Sequence, residues 1–212
     1  MIFEENIATF VQNIHQDNKD GHGFDHIYRV VQLAKKILAT EPQADSDLVL
    51  AAAYLHDTYD EKLYPDVALQ KQKVAEFLKS LNYSKEKQDK IFYIIDNMSY
   101  SSNLTQQKEL DINGQIVQDA DRLDAMGAWG IVRTLEYGWT HGRTLYDPSV
   151  KPESFSDKHT YHKNKGTTLN HFYEKLFLLK NLINTAKGQE LAEKRDKIMH
   201  EFVAAIEEEY ML

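Results

Sequence analysis

Apolar residues recur at intervals of three and four along nearly the whole chain. Residues 3–16 carry Phe3, Ile7, Phe10, Val11 and Ile14, a spacing that lines one face of a helix. From Asp25 to about Ala39, a second stripe holds Ile27, Val30, Val31, Ala34, Ile37 and Leu38, and Pro42 then punctuates the chain. Ser46 is the expected cap of a third helix, with Asp47 in its first turn, where negative charge is favourable. That helix reads Leu48-Val49-Leu50-Ala51-Ala52-Ala53-Tyr54-Leu55. It is apolar on nearly every side, so it belongs in the centre of a fold, and it runs straight into His56-Asp57. Pro65 stands near the start of a helix at about 66–81, and 85–98 carries Ile91, Phe92, Ile94 and Ile95. Asn113-Gly114 reads as a turn. Residues 116–137 read as one helix, with a bend allowed near Gly127 or Gly130, and 168–184 and 189–209 as two C-terminal helices. No segment alternates as a half-buried strand does, and no internal repeat is visible. The expectation is an all-α helical bundle, residues 1–212 forming a single domain.

Residues 138–166 break the pattern. A stretch this long without periodicity is usually functional or disordered. It holds Arg143, Lys151, Lys158, Lys163 and Lys165 against Asp147, Glu153 and Asp157, a net +2 in a chain of net charge -8. His141, His159 and His162 lie there too. The segment reads either as a surface excursion or as a cationic lid over an anionic substrate.

Composition narrows the classes. A chain of 212 residues buries a sizeable core without staples. It has no cysteine, which excludes disulfides, thiolate zinc sites and a cysteine nucleophile. Met1-Ile2-Phe3-Glu4-Glu5 lacks a basic segment followed by an apolar core, so no signal peptide is expected. No run approaches the roughly 18 apolar residues of a membrane span. The cytoplasm is the default location, and a membrane is not an expected partner. The acidic balance also makes duplex nucleic acid a poor partner, whereas a metal and a few local cations would still accommodate a small anionic substrate.

The chemistry gathers around His56-Asp57. An imidazole and a carboxylate at the end of a buried helix need a partner, because buried ionisable groups are costly unless paired or metal-bound. Capping or salt bridging would also satisfy the pair. His26, near the start of the second helix, can add another imidazole. Asp121 sits where acidic residues interrupt an apolar stripe in Asp119-Ala120-Asp121-Arg122-Leu123-Asp124-Ala125-Met126, and Asp121 and Asp124 share a face. His26, His56, Asp57 and Asp121 together offer two nitrogens and two oxygens. That set suits one six-coordinate divalent ion, Mn, Fe, Co, Ni or Mg, with positions left for water and substrate. Zinc also fits the donors, though no thiolate argues for a structural zinc site.

The order His26, His56-Asp57, Asp121 resembles the H…HD…D signature of the HD-domain phosphohydrolase superfamily. Asp119-Ala-Asp-Arg-Leu-Asp-Ala-Met is similar to its final-aspartate motif. Lys165-Gly-Thr-Thr-Leu-Asn-His-Phe-Tyr-Glu-Lys-Leu resembles the tail of a bacterial branch that includes nucleotide pyrophosphatases. The likeness spans about residues 20–209. It implies a helical bundle whose metal bridges a substrate phosphate and a nucleophilic water, chemistry that needs positioning and electrostatics more than covalent work. Related enzymes place an acid in the pattern HDxxE; here Asp60 holds that position and is the expected general acid or base, with Glu61 beside it. Asp60 shares a face with Asp57 if the helix continues. Two-metal relatives draw further histidines from the region matching 58–120, which here contains none, so one ion is expected.

Arg29, one turn after His26, is a candidate for a phosphate contact or a surface ion pair. Asp124 is a candidate for the substrate side of the site or for orienting a ligand or water. Lys165 and Tyr173 are candidates for phosphate or nucleoside contact. Asp119 reads as a helix cap, His22 sits between two glycines, and His15, His171 and His200 read as surface or packing residues. The branch resemblance implies hydrolysis of a nucleoside or deoxynucleoside triphosphate to monophosphate and pyrophosphate. The competing readings are a 5'-nucleotidase, a hydrolase of signalling nucleotides, and a non-catalytic nucleotide-binding module. Base, sugar, phosphate count, metal identity and oligomeric state, a homodimer included, are left open by the residues.

Overall fold

The computed structural model describes residues 2–15, 23–61, 63–104, 108–164 and 166–211. Its elements are helices α1 (Ile2–Ile14), α2 (Phe24–Leu38), α3 (Ser46–Leu55), α4 (Val67–Ser80), α5 (Lys85–Asn97), α6 (Ile112–Asp124), α7 (Gly127–Thr140), α8 (Lys158–Lys163), α9 (Asn170–Glu174) and α10 (Ala186–Tyr210), with a 3-10 helix at Leu176–Leu182. There is no strand among the described residues, and the fold is all-α. No helix among them is long and apolar enough to cross a membrane.

Helix α3 lies at the centre. Leu48, Val49, Ala51, Ala52, Ala53, Tyr54 and Leu55 are all buried, and α1, α2, α5 and α6 pack around it. Three successive alanines keep its flanks thin, which lets neighbouring helix axes approach closely. Helix α2 packs on both α3 and α6, and α10 closes the far side against α6 and α7. This arrangement brings the start of α2, the end of α3 and the last turns of α6 together.

Several boundaries differ from the sequence expectation, each for a local reason. The cap of α3 is Asp45, not Ser46: its carboxylate accepts the Leu48 N–H at 3.1 Å. Asn113-Gly114 is not a turn but the first turn of α6, because Asp111 caps that helix by accepting the Gly114 N–H at 3.0 Å. Asn113 takes the Asp45 N–H at 2.7 Å, tying the starts of α3 and α6 together. A Cβ on Gly114 would stand 2.9 Å from Leu110 Cβ.

The expected single helix over 116–137 is two. Gly127 adopts φ +70, a left-handed conformation that favours glycine, and it separates α6 from α7. Gly130 then allows α7 to lie against the Ala125 carbonyl, which any Cβ there would strike. The expected helix at 168–184 is likewise broken. Lys175, at φ -141 and ψ -57, ends α9 after five residues, and the chain resumes as the 3-10 helix.

Of the aperiodic 138–166 stretch, Gly138, Trp139 and Thr140 complete α7, Gly142 turns the chain at φ +62, and Asp157 caps α8 by accepting the Thr160 N–H at 2.9 Å. Buried polar groups hold the segment between. Glu174 accepts from Asn164 Nδ2 at 2.6 Å and from the Glu153 N–H at 3.2 Å, and Asn170 Nδ2 donates to Val150 O at 3.0 Å. The candidate Lys165 and His22 lie outside the described residues.

Candidate metal centre

Helix α3 ends at Leu55, and a turn carries His56 to Tyr59. The His56 ring nitrogen Nδ1 lies 2.9 Å from Ala53 O, an atom that only accepts, so Nδ1 is the donor and Nε2 keeps its lone pair. His26, in the first turn of α2, places Nδ1 2.7 Å from Asp124 Oδ2. Asp124 is held well below the usual carboxylate range: burial opposes this, but hydrogen bonds from His26 and Arg29 and the Arg133 charge outweigh it. An ionised carboxylate cannot donate, so His26 Nδ1 donates too, which turns its Nε2 toward the cluster.

Those two Nε2 atoms face each other at 3.1 Å. The Asp57 carboxylate reaches both, Oδ2 lying 3.5 Å from His26 Nε2 and Oδ1 3.5 Å from His56 Nε2. Asp121 Oδ1 stands 3.6 and 3.8 Å from the same two nitrogens. The donor atoms of His26, His56 and Asp57 all lie within 4.8 Å of one another, a cluster that could hold a metal ion. Lone pairs converging like this repel unless a cation sits among them. Ligands about 2.1 Å from an ion stand about 3.0 Å apart at right angles and about 3.4 Å apart at tetrahedral angles, so the observed spacings fit a divalent metal. His26, His56 and Asp57 are buried, and Asp121 is one-third exposed, which makes it the solvent-facing member.

Without a metal, a proton takes the cation's place. Burial pulls the His26 pKa down, but hydrogen bonds to Asp124 and Asp57 more than offset this and raise it to about 9 from 6.5. A raised pKa favours the protonated ring, so its contribution to the metal-free fold is complete below about pH 6.5 and is lost as pH rises through about 9. A metal must displace that proton. The expected result is that apparent affinity for Mn, followed by calorimetry, rises across this window. Affinity flat from pH 6.5 to 9 would contradict a protonated His26.

Behind His26, Asp124 is only 1% exposed and anchors a cationic group. Arg29 donates Nε to its Oδ1 at 2.7 Å and Nη2 to its Oδ2 at 3.2 Å, while Arg133 donates Nη1 to Oδ2 at 2.7 Å. Arg29 also donates Nη1 to Asp25 at 2.6 Å and lies 4.3 Å from the Trp129 ring. The structure therefore turns Arg29 toward Asp124 and Asp25, and Asp124 toward His26 and two arginines. Asp60 is not carried on a helical face with Asp57, since the helix stops at Leu55; the turn delivers it, half-buried, next to exposed Glu61. The Tyr173 hydroxyl donates to Glu207 of α10 at 2.8 Å. Asp119 is fully buried and accepts the Asn184 and Thr185 backbone N–H groups at 2.9 and 2.7 Å, which locks the start of α10 onto α6. His15 is buried, and His200 stacks on Phe177 at 3.8 Å.

Two further cations act on the cluster, Arg133 unmarked in the local sequence and Lys175 within the C-terminal motif that begins at Lys165. Arg133 is separated from the aspartate motif by the Gly127 break. Lys175 sits at the other break, and its charge acts on Asp121, Arg133 and Arg122.

The sequence matches the profile of the HD domain over residues 23–126, the span that contains all four converging residues. YpgQ of Bacillus subtilis is 37% identical over 206 residues, covering 97% of this chain and 92% of its own. An HD-superfamily hydrolase from Bacillus thuringiensis superposes with a TM-score of 0.75 at 35% identity, over 98% of this chain and 96% of its own. The chain belongs to the HD-domain phosphohydrolase superfamily. This HD-domain protein also resembles a Lactobacillus plantarum structure, with a TM-score of 0.89 and 40% identity over 99% of this chain and 97% of that one. The crystal structure of YpgQ in complex with ADP superposes on it with a TM-score of 0.75 over 97% of each chain. The superfamily, the fold and the cluster agree on metal-dependent phosphohydrolase chemistry.

Proposed function

We propose that this protein hydrolyses nucleoside triphosphates to a monophosphate and pyrophosphate, using one divalent ion held by His26, His56, Asp57 and Asp121. The carrying observation is the meeting of two inward-facing Nε2 atoms and two carboxylates, with Arg133 bonded to the Asp124 that orients His26. A divalent ion in such a site lowers the pKa of a water and offsets phosphoryl charge in the transition state. The hydrogen bonds from His26 Nδ1 to Asp124 and from His56 Nδ1 to Ala53 O fix both rings with Nε2 turned inward. Asp60, with Glu61 beside it, is the group assigned to receive or return a proton. The half-open side at Asp121 is where substrate enters. The YpgQ complex with ADP supports a nucleotide as ligand.

The test is a panel of nucleotides incubated with Mn and followed by phosphorus NMR. Pyrophosphate from triphosphates is the expected product. Orthophosphate from monophosphates would assign a 5'-nucleotidase instead, and tight binding without turnover would assign a nucleotide-binding module.

A further inference from the structure

Asp57 and Asp60 stand on the turn that follows α3, past the last residue of that helix. Backbone bonds hold the two ends of the turn. The Thr58 N–H donates to Leu55 O at 3.0 Å, and the Leu63 and Tyr64 N–H groups both donate to Asp60 O at 3.0 Å. Between them, the Asp60 N–H reaches Asp57 O only at 3.5 Å. The two residues between the carboxylates are pinned through their side chains. Thr58 is fully buried and donates Oγ1 to Leu55 O at 2.6 Å. Tyr59 is only 6% exposed and donates its hydroxyl to Asp96 Oδ1 of α5 at 3.1 Å, with its ring 6.0 Å from that of Phe92. The other Asp96 oxygen accepts from Lys71 of α4 at 2.5 Å, and the Lys71 ammonium stands 5.3 Å and 5.1 Å from the centres of the Tyr59 and Phe92 rings. A carboxylate and an ammonium from two helices thus close on one tyrosine of the turn.

We infer that Tyr59, held by Asp96 and Lys71, is a positioning residue of the metal centre: it fixes the turn so that the Asp57 carboxylate meets His26 and His56. This rests on the reading of that cluster as a metal site and adds residues of α4 and α5 that lie outside the ligand set. Supporting contacts must hold a working group to within about 0.5 Å of its geometry. Each Asp57 oxygen stands 3.5 Å from an imidazole nitrogen, so a small rotation of the turn parts them. The Lys71 and Asp96 side chains are 36% and 41% exposed, and an ion pair this open adds little to stability. Its consequence lies in where it holds the tyrosine.

The test measures Mn affinity by calorimetry, the thermal midpoint of metal-free protein, and kcat and KM for adenosine triphosphate. Tyr59→Phe keeps the ring and drops only the hydroxyl. Tyr59→Phe and Asp96→Ala are each expected to weaken Mn binding about tenfold and to lower kcat, with KM and midpoint near wild type. The double variant should lose no more than either alone, because both break one contact. Asp96→Asn still offers the hydroxyl an acceptor and should recover most of what Asp96→Ala loses. Mn affinity indifferent to both changes, a fall in midpoint in its place, or Asp96→Asn as weak as Asp96→Ala would overturn the inference. If Mn affinity follows the expected pattern but no nucleotide is turned over, the positioning role stands and the proposed activity falls. If triphosphates are cleaved while Mn affinity ignores Tyr59, the activity stands and this inference falls.

Discussion

Asp57→Ala and His56→Ala are expected to lower kcat/KM by at least about a thousandfold, equivalent to about 4 kcal/mol of transition-state stabilisation. Each removes one donor from a set whose atoms stand 3.1 to 3.8 Å apart. Above about pH 9, where His26 has lost the proton that stands in for the metal, the metal-free fold should survive, because these groups then meet as mutually repelling lone pairs and their loss relieves the repulsion. Metal titration and a thermal melt of metal-free protein separate the two effects. Mn affinity should collapse while the midpoint holds or rises. A large fall in the midpoint without metal would mean that the pair is chiefly structural, as a cap or salt bridge would be.

Asp124→Ala should behave in the opposite way and destabilise the fold itself. It strips one acceptor from His26, Arg29 and Arg133 at once, leaving Arg133 without that counter-charge and Arg29 with Asp25 alone. Breaking a buried charge pair by removing one member costs about 3–5 kcal/mol. Metal affinity should also fall, by about 10- to 100-fold, because His26 loses the contact that orients its ring. The Asp124 pKa is depressed in the folded state, so its stabilisation is present above the unfolded value near 3.8 and is lost as pH falls below it. Denaturant melts should therefore show the wild-type advantage over Asp124→Ala at neutral pH and its shrinkage in acid. An unchanged midpoint at neutral pH would show that the two arginines are satisfied elsewhere.

Helix α3 is legible as the central helix because its apolar run is unbroken, and His56-Asp57 can be placed at its end for the same reason. The ordered pattern His26, His56-Asp57, Asp121 is visible through its resemblance to the H…HD…D signature, with Asp121 also marked by the acidic residues that interrupt an apolar stripe. Other features depend on breaks that periodicity smooths over. The left-handed Gly127 splits one expected helix into α6 and α7, and that split brings Arg133 back to Asp124. The break at Lys175 lies within a run whose spacing reads as helix, and only its place in three dimensions sets it beside Asp121 and above Tyr100. Arg29 stands between two readings that the sequence leaves open. A basic residue one turn from a ligand suits either a phosphate contact or an ion pair, and Asp124 and Asp25 engage its guanidinium from within the fold. Ion pairing across helices leaves no periodic trace in the chain.

The decisive experiment is hydrolysis of a deoxynucleoside triphosphate in 18O-labelled water, with Mn and product analysis by mass spectrometry. One labelled oxygen is expected in the monophosphate and none in the pyrophosphate, since the proposed reaction has water attack the α-phosphorus. Label appearing in orthophosphate, or no turnover of any triphosphate, would contradict the proposed reaction.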